Sequence, residues 1–469
     1  MTPQETVERA LAAARCDDCV VIADEESSAN LRWAANSLTT NGVSRSRQLT
    51  VIAITRGAAG TCAGVVSRAG VRGDQVADVV AAAEQAAAQS SPAEDAQPLL
   101  GPADRGPSAA AVPGAGWDDA PASTGIGVFE SFSAALGEQF AAARAVGHRL
   151  YGYAQQSLTS TFLGTSSGLR LRHDQPTGRY ELNAKAAAPG ASAWAGQATR
   201  DFTDVNVARL SADLARRLDW AQRQVELPAG RYETLLSPGA MADLFIYLCW
   251  STGAKDALDG RTVFSRPGGG TRLGERLTSM PVTLRSDPAE PGLRCAPFLI
   301  ARASGREISV FDNGLAIPPV AWLRDGSLAA LTQTRWTAGQ SGLAVTPKSD
   351  NLIFECPGSG AASLDDMIAG TRRALLVTCL WYIREVDPQT LLLTGLTRDG
   401  VYLVENGEVT GAVNNFRFNE SPVGLLGRLA EAGATGPALA REWGDYFTRS
   451  AMPPARFAGF NMSSVSQAS

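Results

Sequence analysis

Residues 241–250 read Met-Ala-Asp-Leu-Phe-Ile-Tyr-Leu-Cys-Trp, a helix-compatible run with apolar side chains on every side, entered through Ser237-Pro238-Gly239. A helix that is apolar all round must be enclosed by other elements, because no face of it suits water. The flanking sequence offers mostly strands for that purpose. Tyr232 to Leu236 precedes it, and alternating apolar segments come after it, punctuated by Asp325-Gly326, Asp399-Gly400 and Asn406-Gly407. Such dipeptides between alternating segments mark hairpins, Asn-Gly most strongly. One long helix is expected among them, capped by Ser363 with Asp366 three residues on and carrying Met367, Leu375, Leu376, Cys379, Leu380 and Ile383. Residues 228–469 therefore read as a β-rich domain.

The first half reads differently. Thr2-Pro3-Gln4-Glu5 forms a capping box for a helix to about Ala14 with Val7, Leu11 and Ala14 on one face. Four β-type segments come next, Cys19 to Ala23, Ala29 to Ala34, Leu49 to Thr55 and Thr61 to Ser67. Asp74 is expected to cap a second helix carrying Val76, Val79, Val80 and Ala83, which closes a small α/β unit at 1–90. A Pro/Ala/Gly-rich stretch, 91–127, reads as a connection. Within 128–227, Phe129, Phe132, Leu136 and Phe140 mark an amphipathic helix. Tyr151 to Lys185 reads as paired strands with Gly164 and Gly178 in the turns, and Asp204 opens a helix with Val207, Leu210, Leu214 and Leu218. This stretch continues the amino-terminal part. A chain of 469 residues, 45 % hydrophobic, holds two or three such units. The expected class is α+β, with mixed or antiparallel sheets and packed helices.

Composition narrows the chemistry. A formal charge of −5 and no basic run argue against nucleic acid as a partner. The polar start Met-Thr-Pro-Gln-Glu lacks a secretory signal, and the longest apolar run is too short to span a bilayer, so a soluble cytoplasmic protein with no membrane partner is expected. Seven cysteines are scattered, and the one C-x-x-C, Cys16 with Cys19, closes a helix where a redox pair would open one. These read as reduced, buried small hydrophobes.

Only two histidines occur, His148 and His173, neither with a second histidine one turn away. A helical zinc peptidase site needs such a pair with a glutamate beside the first, so no metal and no catalytic residue is expected in this chain; a site of carboxylates or cysteines, or His173 with Asp174 and distant carboxylates, stays formally open. Gly164-Thr165-Ser166-Ser167-Gly168 matches the nucleophile pattern G-x-S-x-G, but Leu169, Leu171 and the polar residues alternating with them continue as a strand, and no acid lies between Ser166 and His173. A hairpin turn explains the same letters. Pro267-Gly268-Gly269-Gly270 lacks the Lys-Ser or Lys-Thr of a phosphate loop. His148 ends a helix, while Asp365 and Asp366 suit the first turn of one.

Several runs nevertheless resemble one family throughout the chain. They are Arg32-Trp33-Ala34-Ala35-Asn36-Ser37-Leu38-Thr39-Thr40-Asn41-Gly42, the Ser237-Pro238-Gly239-Ala240 entry, and Asp259 to Ser265. Most specific are Leu392 to Gly400 and Asn414 to Pro422, and the ending Phe460 to Val465 also fits. Together they are similar to the TldD/PmbA family. In that family the TldD type carries H-E-x-x-x-H on the helix entered through a similar turn, whereas the TldE/PmbA type lacks it. Here Met241 to Trp250 occupies that helix with apolar and aromatic side chains.

The resemblance implies a non-catalytic subunit of a heteromeric zinc metallopeptidase. It would need no cofactor of its own, pair with an H-E-x-x-x-H subunit that holds the zinc, and act on extended or unfolded peptides. The family's older label, modulator of DNA gyrase, has no counterpart in a DNA-binding surface signature here. An extended peptide can pair with an exposed strand edge whatever its sequence. The polar run Asn414, Asn415, Arg417, Asn419 and Glu420 is the candidate lining for such a site, or alternatively a strand end that satisfies its own backbone. Two other readings stay open: an independent hydrolase using Ser166 or Asp174, and a stand-alone peptide-binding or chaperone-like homodimer.

Overall fold

The computed structural model describes residues 1–105, 116–186, 191–358 and 361–466; the centre of the 91–127 connection lies outside them. Helix α1 (Pro3–Ala13) begins as its capping box requires, the Thr2 hydroxyl accepting from the Glu5 N–H at 3.1 Å and the Glu5 carboxylate from the Thr2 N–H at 2.8 Å. Four short strands were expected next, but the chain forms three longer ones, β1 (Asp18–Ala34), β2 (Ser37–Gly57) and β3 (Gly60–Ala69). The polar middle of β1 does not break it, because pairing on both sides fixes its backbone and its acids find arginines. Glu25 pairs with Arg47 at 2.7 Å and Asp24 with Arg302 at 2.6 Å.

The sheet continues through β4 (Arg149–Thr165), β5 (Arg170–Lys185) and β6 (Ser192–Thr199) in the order β3-β2-β1-β4-β5-β6, antiparallel throughout. Segments 1–90 and 128–227 thus share one sheet. Gly164 and Gly178 lie inside strands, not in turns, and for a steric reason. A Cβ on Gly164 would sit 2.4 Å from Val7 of α1, and one on Gly178 would sit 2.2 Å from the Gln156 amide oxygen.

Helix α2 (Val76–Gln89) comes after a short 3₁₀ turn in which Gln75, not Asp74, accepts from the Arg72 N–H at 3.1 Å. Helix α3 (Glu130–Ala145) buries Phe132, Leu136 and Phe140 as expected, and α4 (Val207–Trp220) is capped by Asn206, not by Asp204. All four helices cover one face of the sheet, α1 and α2 at one end, α3 and α4 at the other. On the opposite face Val20, Ile22, Leu163 and Leu171 pack on Phe298, Val310 and Phe311 of the second half.

That half encloses the apolar helix, α5 (Pro238–Trp250), between two sheets. One is six-stranded, in the order Ser327–Leu328, Val320–Arg324, Thr283–Ser286, Leu352–Glu355, Ser450–Met452, Gly436–Ala438. The other runs from the edge strand Leu380–Asp387 through Leu392–Thr397, Phe416–Glu420, Ala455–Val465, Gly230–Leu236, Arg373–Val377, Val401–Glu405 and Glu408–Val413 to Gln224–Val225. Every residue from Ala240 to Ile246 is fully buried, and Phe245 meets Phe354 of the six-stranded sheet edge-on at 4.9 Å. The architecture is α+β with mixed and antiparallel sheets.

Two expectations fail here. The helix capped by Ser363 ends at Ala369, and its supposed continuation forms the strands Arg373–Val377 and Leu380–Asp387. Arg373–Val377 lies between parallel and antiparallel neighbours, and a strand buried on both faces is as continuously apolar as a buried helix. Asn406-Gly407 makes the expected hairpin with φ of 52° and 86°, and Asp325-Gly326 makes another. Asp399-Gly400 does not, since the strands on either side of it are not neighbours.

The seating of α1 on β4 can be tested at Gly164. Gly164→Ala should cost about 1–3 kcal/mol by overpacking, read as a lower urea midpoint; an unchanged midpoint would mean that α1 does not press on β4.

Candidate functional site

The one charged side chain of α5 is Asp243, and it is fully buried. A carboxylate there must find donors, and it finds two backbone groups. One oxygen accepts the Leu380 N–H at 3.1 Å, the other the Glu442 N–H at 2.9 Å, while the Trp443 indole donates to the Asp243 carbonyl at 2.7 Å. Burial pushes the Asp243 carboxyl up to about 8, against the pull of these two N–H donors. Glu442 repeats the pattern one step along, accepting the Tyr382 N–H at 2.7 Å and Arg384 at 2.8 Å. Two carboxyl side chains therefore occupy the Leu380 and Tyr382 N–H groups of the strand that forms one edge of the larger sheet. Such capping blunts an edge that would otherwise pair with another chain.

Next to this clasp, Arg441 joins the two halves of the chain. Its guanidinium bonds Asp399 at 2.7 Å and the Cys379 sulfur at 3.3 Å, and lies over Trp194 of β6 and Trp381, 5.5 and 5.1 Å from the ring centres. Burial opposes ionisation of Asp399, but Arg441 beside it, together with hydrogen bonds from Ser192 and Arg441, holds its carboxyl below the usual carboxylate range. Burial raises the Cys379 thiol. Tyr247, Trp250, Trp443 and Phe447 stack alongside, and Trp381, Tyr382, Val386 and Tyr446 stand exposed. A cleft of about 560 Å³ lies by this patch, lined by Tyr247, Trp250, Arg261, Glu385 and Pro388 among others.

The donor set does not fit zinc. No imidazole is among these residues, both Asp243 oxygens are committed to N–H groups, and Cys379 is held by Arg441 and the Arg398 carbonyl. Among the described residues no group of three or more His, Cys, Asp or Glu is placed to hold a metal. Asp243 was missed in the sequence, where the helix read as wholly apolar; a lone acid in such a run is the signal that could have found it.

The five polar candidates lie on and just before the strand Phe416–Glu420. Asn414 accepts the Leu227 N–H at 2.7 Å, and Asn415 accepts the Ser466 N–H at its carbonyl. Arg417 is exposed, and Asn419 lies half-buried on the same face. Glu420 is buried, paired with Arg428 and accepting the Asn461 N–H at 2.7 Å.

The remaining motifs are scattered. Ser166 sits in the β4–β5 turn, its hydroxyl accepting the Cys19 N–H at 3.0 Å and facing Asp18 at 3.2 Å. His173 lies inside β5, bonded to Gln175 at 3.0 Å, and burial lowers its basicity. His148 bonds through its backbone, its N–H donating to the Ala143 carbonyl and its carbonyl accepting from the Asn36 amide. Asp366 caps its helix with Ser363, and Asp365 pairs with Arg216 at 3.0 Å. Gly268, Gly269 and Gly270 all have positive φ, in a loop closed by the Arg266 N–H on the Gly270 carbonyl at 3.0 Å. Cys19 is buried while Cys16 is half-buried, its thiol lowered to about 7 by a hydrogen bond with Cys19.

Residues 229–464 match the model of the PmbA/TldA metallopeptidase C-terminal domain. The chain belongs to the TldD/PmbA metallopeptidase family. No curated protein matches its sequence significantly. Among solved structures it is similar to TldE from Thermococcus kodakarensis, with a TM-score of 0.78 at 16% identity over 98% of this chain and 99% of that one. It is also similar to a protein from Thermotoga maritima described as a modulator of a DNA gyrase, with a TM-score of 0.75 at 16% identity over 98% and 99% of the two chains. A like-described protein from Bacteroides thetaiotaomicron gives 0.73 at 15% identity over 99% and 98%. At these identities the likeness is one of fold, along the whole chain.

Replacing Asp243 by Leu should cost about 2–6 kcal/mol, because it strands two N–H groups at ~1–3 kcal/mol each. The pH dependence follows from the raised carboxyl. The native state keeps a proton that the unfolded chain releases, so stability from this group is greatest below about 4 and is lost as pH rises towards 8. Urea titrations should show wild type losing ground to Asp243→Asn across that window; a gap independent of pH would refute the shift.

Proposed function

We propose that this chain is the metal-free subunit of a two-chain zinc peptidase. It would pair with an H-E-x-x-x-H relative that holds the zinc and help enclose extended or unfolded peptides, including ribosomally made peptides that mature by loss of a leader. The observation that carries this reading is Asp243. On the helix where a metal-bearing relative has its histidine pair, this chain has one carboxylate with both oxygens committed to the backbone. A site so filled has no open coordination position with which to activate water.

The TldE relative in the fold comparison supports the assignment to the metal-free type. No helix among the described residues is long and apolar enough to cross a membrane; we place the protein in the cytoplasm, where its reduced cysteines would persist. Within the polar run, Asn414 and Glu420 are spent on structure. Arg417 is the exposed member a peptide could reach, and beside it the Asn419 side-chain oxygen is buried without a partner among the described residues. A second reading, a homodimer that binds peptides without cleaving them, draws on the exposed patch of Trp381, Tyr382, Val386 and Tyr446.

Co-expression with the H-E-x-x-x-H relative from the same genome, with a tag on this chain alone, separates the two readings. The proposal expects co-purification, roughly one zinc per pair and peptide cleavage, with zinc and cleavage both absent from this chain alone. A chain that ignores the relative yet binds peptide would favour the homodimer.

A further inference from the structure

The larger sheet has its Leu380–Asp387 edge capped by carboxylates, but the amino-terminal sheet leaves part of an edge bare. Strand β2 pairs with β1 from Ser37 to Ile54, with one register shift near Thr39, whereas β3 pairs with it only from Gln48 to Gly57. Beyond Ala69 no described residue fills the lane that β3 occupied. The last contact across it is the Gly70 N–H on the Arg47 carbonyl, at 2.9 Å. Backbone groups alternate sides along a strand, so from Arg47 the residues whose N–H and C=O both face this lane are Arg45, Val43 and Asn41. None of these groups has a partner there among the described residues.

The side chains beside the lane are equally uncovered. Val43 and Leu38 are 64% and 54% exposed, although they pair with the buried Ala29 and Trp33 of β1. On the same face stand Arg45 and Arg68, neither with an ion-pair partner among the described residues, whereas Arg47 is matched by Glu25. Thr39 to Arg45 contains no Pro, Lys or acid of the kind that usually guards an edge. Where β3 departs, a cleft of about 590 Å³ opens between Arg45, Arg47, Gly70 and Pro121.

We infer that this lane is a strand-addition site for an extended peptide of about five to seven residues, matching the reach of Asn41 to Arg45. The peptide's backbone would pair with Asn41, Val43 and Arg45 whatever its sequence. On the face shared with Val43 it would place an apolar side chain there and an acidic one by Arg45 and Arg68. The inference rests on the proposed function only in naming a peptide as the occupant.

Proline at 43 provides a clean test, because it removes an N–H that faces the lane and leaves the ladder to β1 intact. The probe is a fluorescein-labelled heptapeptide of alternating threonine, valine and glutamate, titrated by anisotropy into the full chain alone. Val43→Pro, with an unchanged thermal midpoint, should weaken binding about five- to tenfold for one lost hydrogen bond and its strand geometry. Arg45→Glu should weaken the glutamate peptide and strengthen a lysine version. Alternate N-methylation of the peptide should abolish binding where the methyls face β2.

Unchanged affinity in Val43→Pro overturns the inference. So does sedimentation showing that Val43→Pro dissolves a dimer of the wild-type chain, since the lane would then belong to a second copy. Partner association and zinc content are scored separately. Peptide affinity lost in Val43→Pro, in a chain that ignores the H-E-x-x-x-H relative, keeps the lane and removes the subunit reading; affinity retained in a chain that does pair does the reverse.

Discussion

A carboxylate held in an apolar helix sets the terms for the carboxyl-terminal half. Moving such a group out of water is costly unless donors meet it, and the donors that meet Asp243 are the main-chain N–H groups of Leu380 and Glu442. Those two groups belong to segments far apart in sequence. By satisfying one acid the fold fixes where the edge strand begins and where the 441–443 segment runs. That placement in turn sets Arg441 between two tryptophans and Glu442 against the next edge N–H. Without the acid, α5 would still need enclosing, but nothing polar would tie its flank to these two segments.

This arrangement also bears on chemistry. Both oxygens of the one acid on α5 are met by backbone N–H groups. The arrangement pins distant segments to the helix with hydrogen bonds. It leaves Cys379 as a buried thiol held by Arg441, which favours inertness over nucleophilic use.

Local signals were the legible ones. The capping boxes at Thr2 and Ser363, the phenylalanine stripe of α3, the Asn406-Gly407 hairpin and the enclosed α5 could all be read, because each depends on neighbours within a few residues. What failed depended on partners far along the chain. Arg373–Val377 looks helical until it is known to lie between two strands. The polar centre of β1 looks like a break until Arg47 and Arg302 are in place, and Gly178 looks like a turn until Gln156 is seen opposite it. The run around Arg417 could be named in the sequence as a candidate, and the structure spends Asn414 and Glu420 of it on a backbone N–H and an arginine. The clasp around Asp243 could not be read there, since its donors are backbone atoms, which carry no letter.

The short strand Gln224–Val225, just after α4, pairs with Glu408–Val413 at the far edge of the larger sheet, and Val20, Ile22 and Leu163 rest on Phe298 and Phe311. The halves are therefore sewn together along both an edge and a face, besides the Arg441 contact. A fragment trimmed to residues 229–464 would lose one strand from its own sheet and bare an apolar wall that the first half normally covers. The sequence segment that most readily identifies this family thus draws one strand of its sheet and the cover of its apolar wall from residues that precede it.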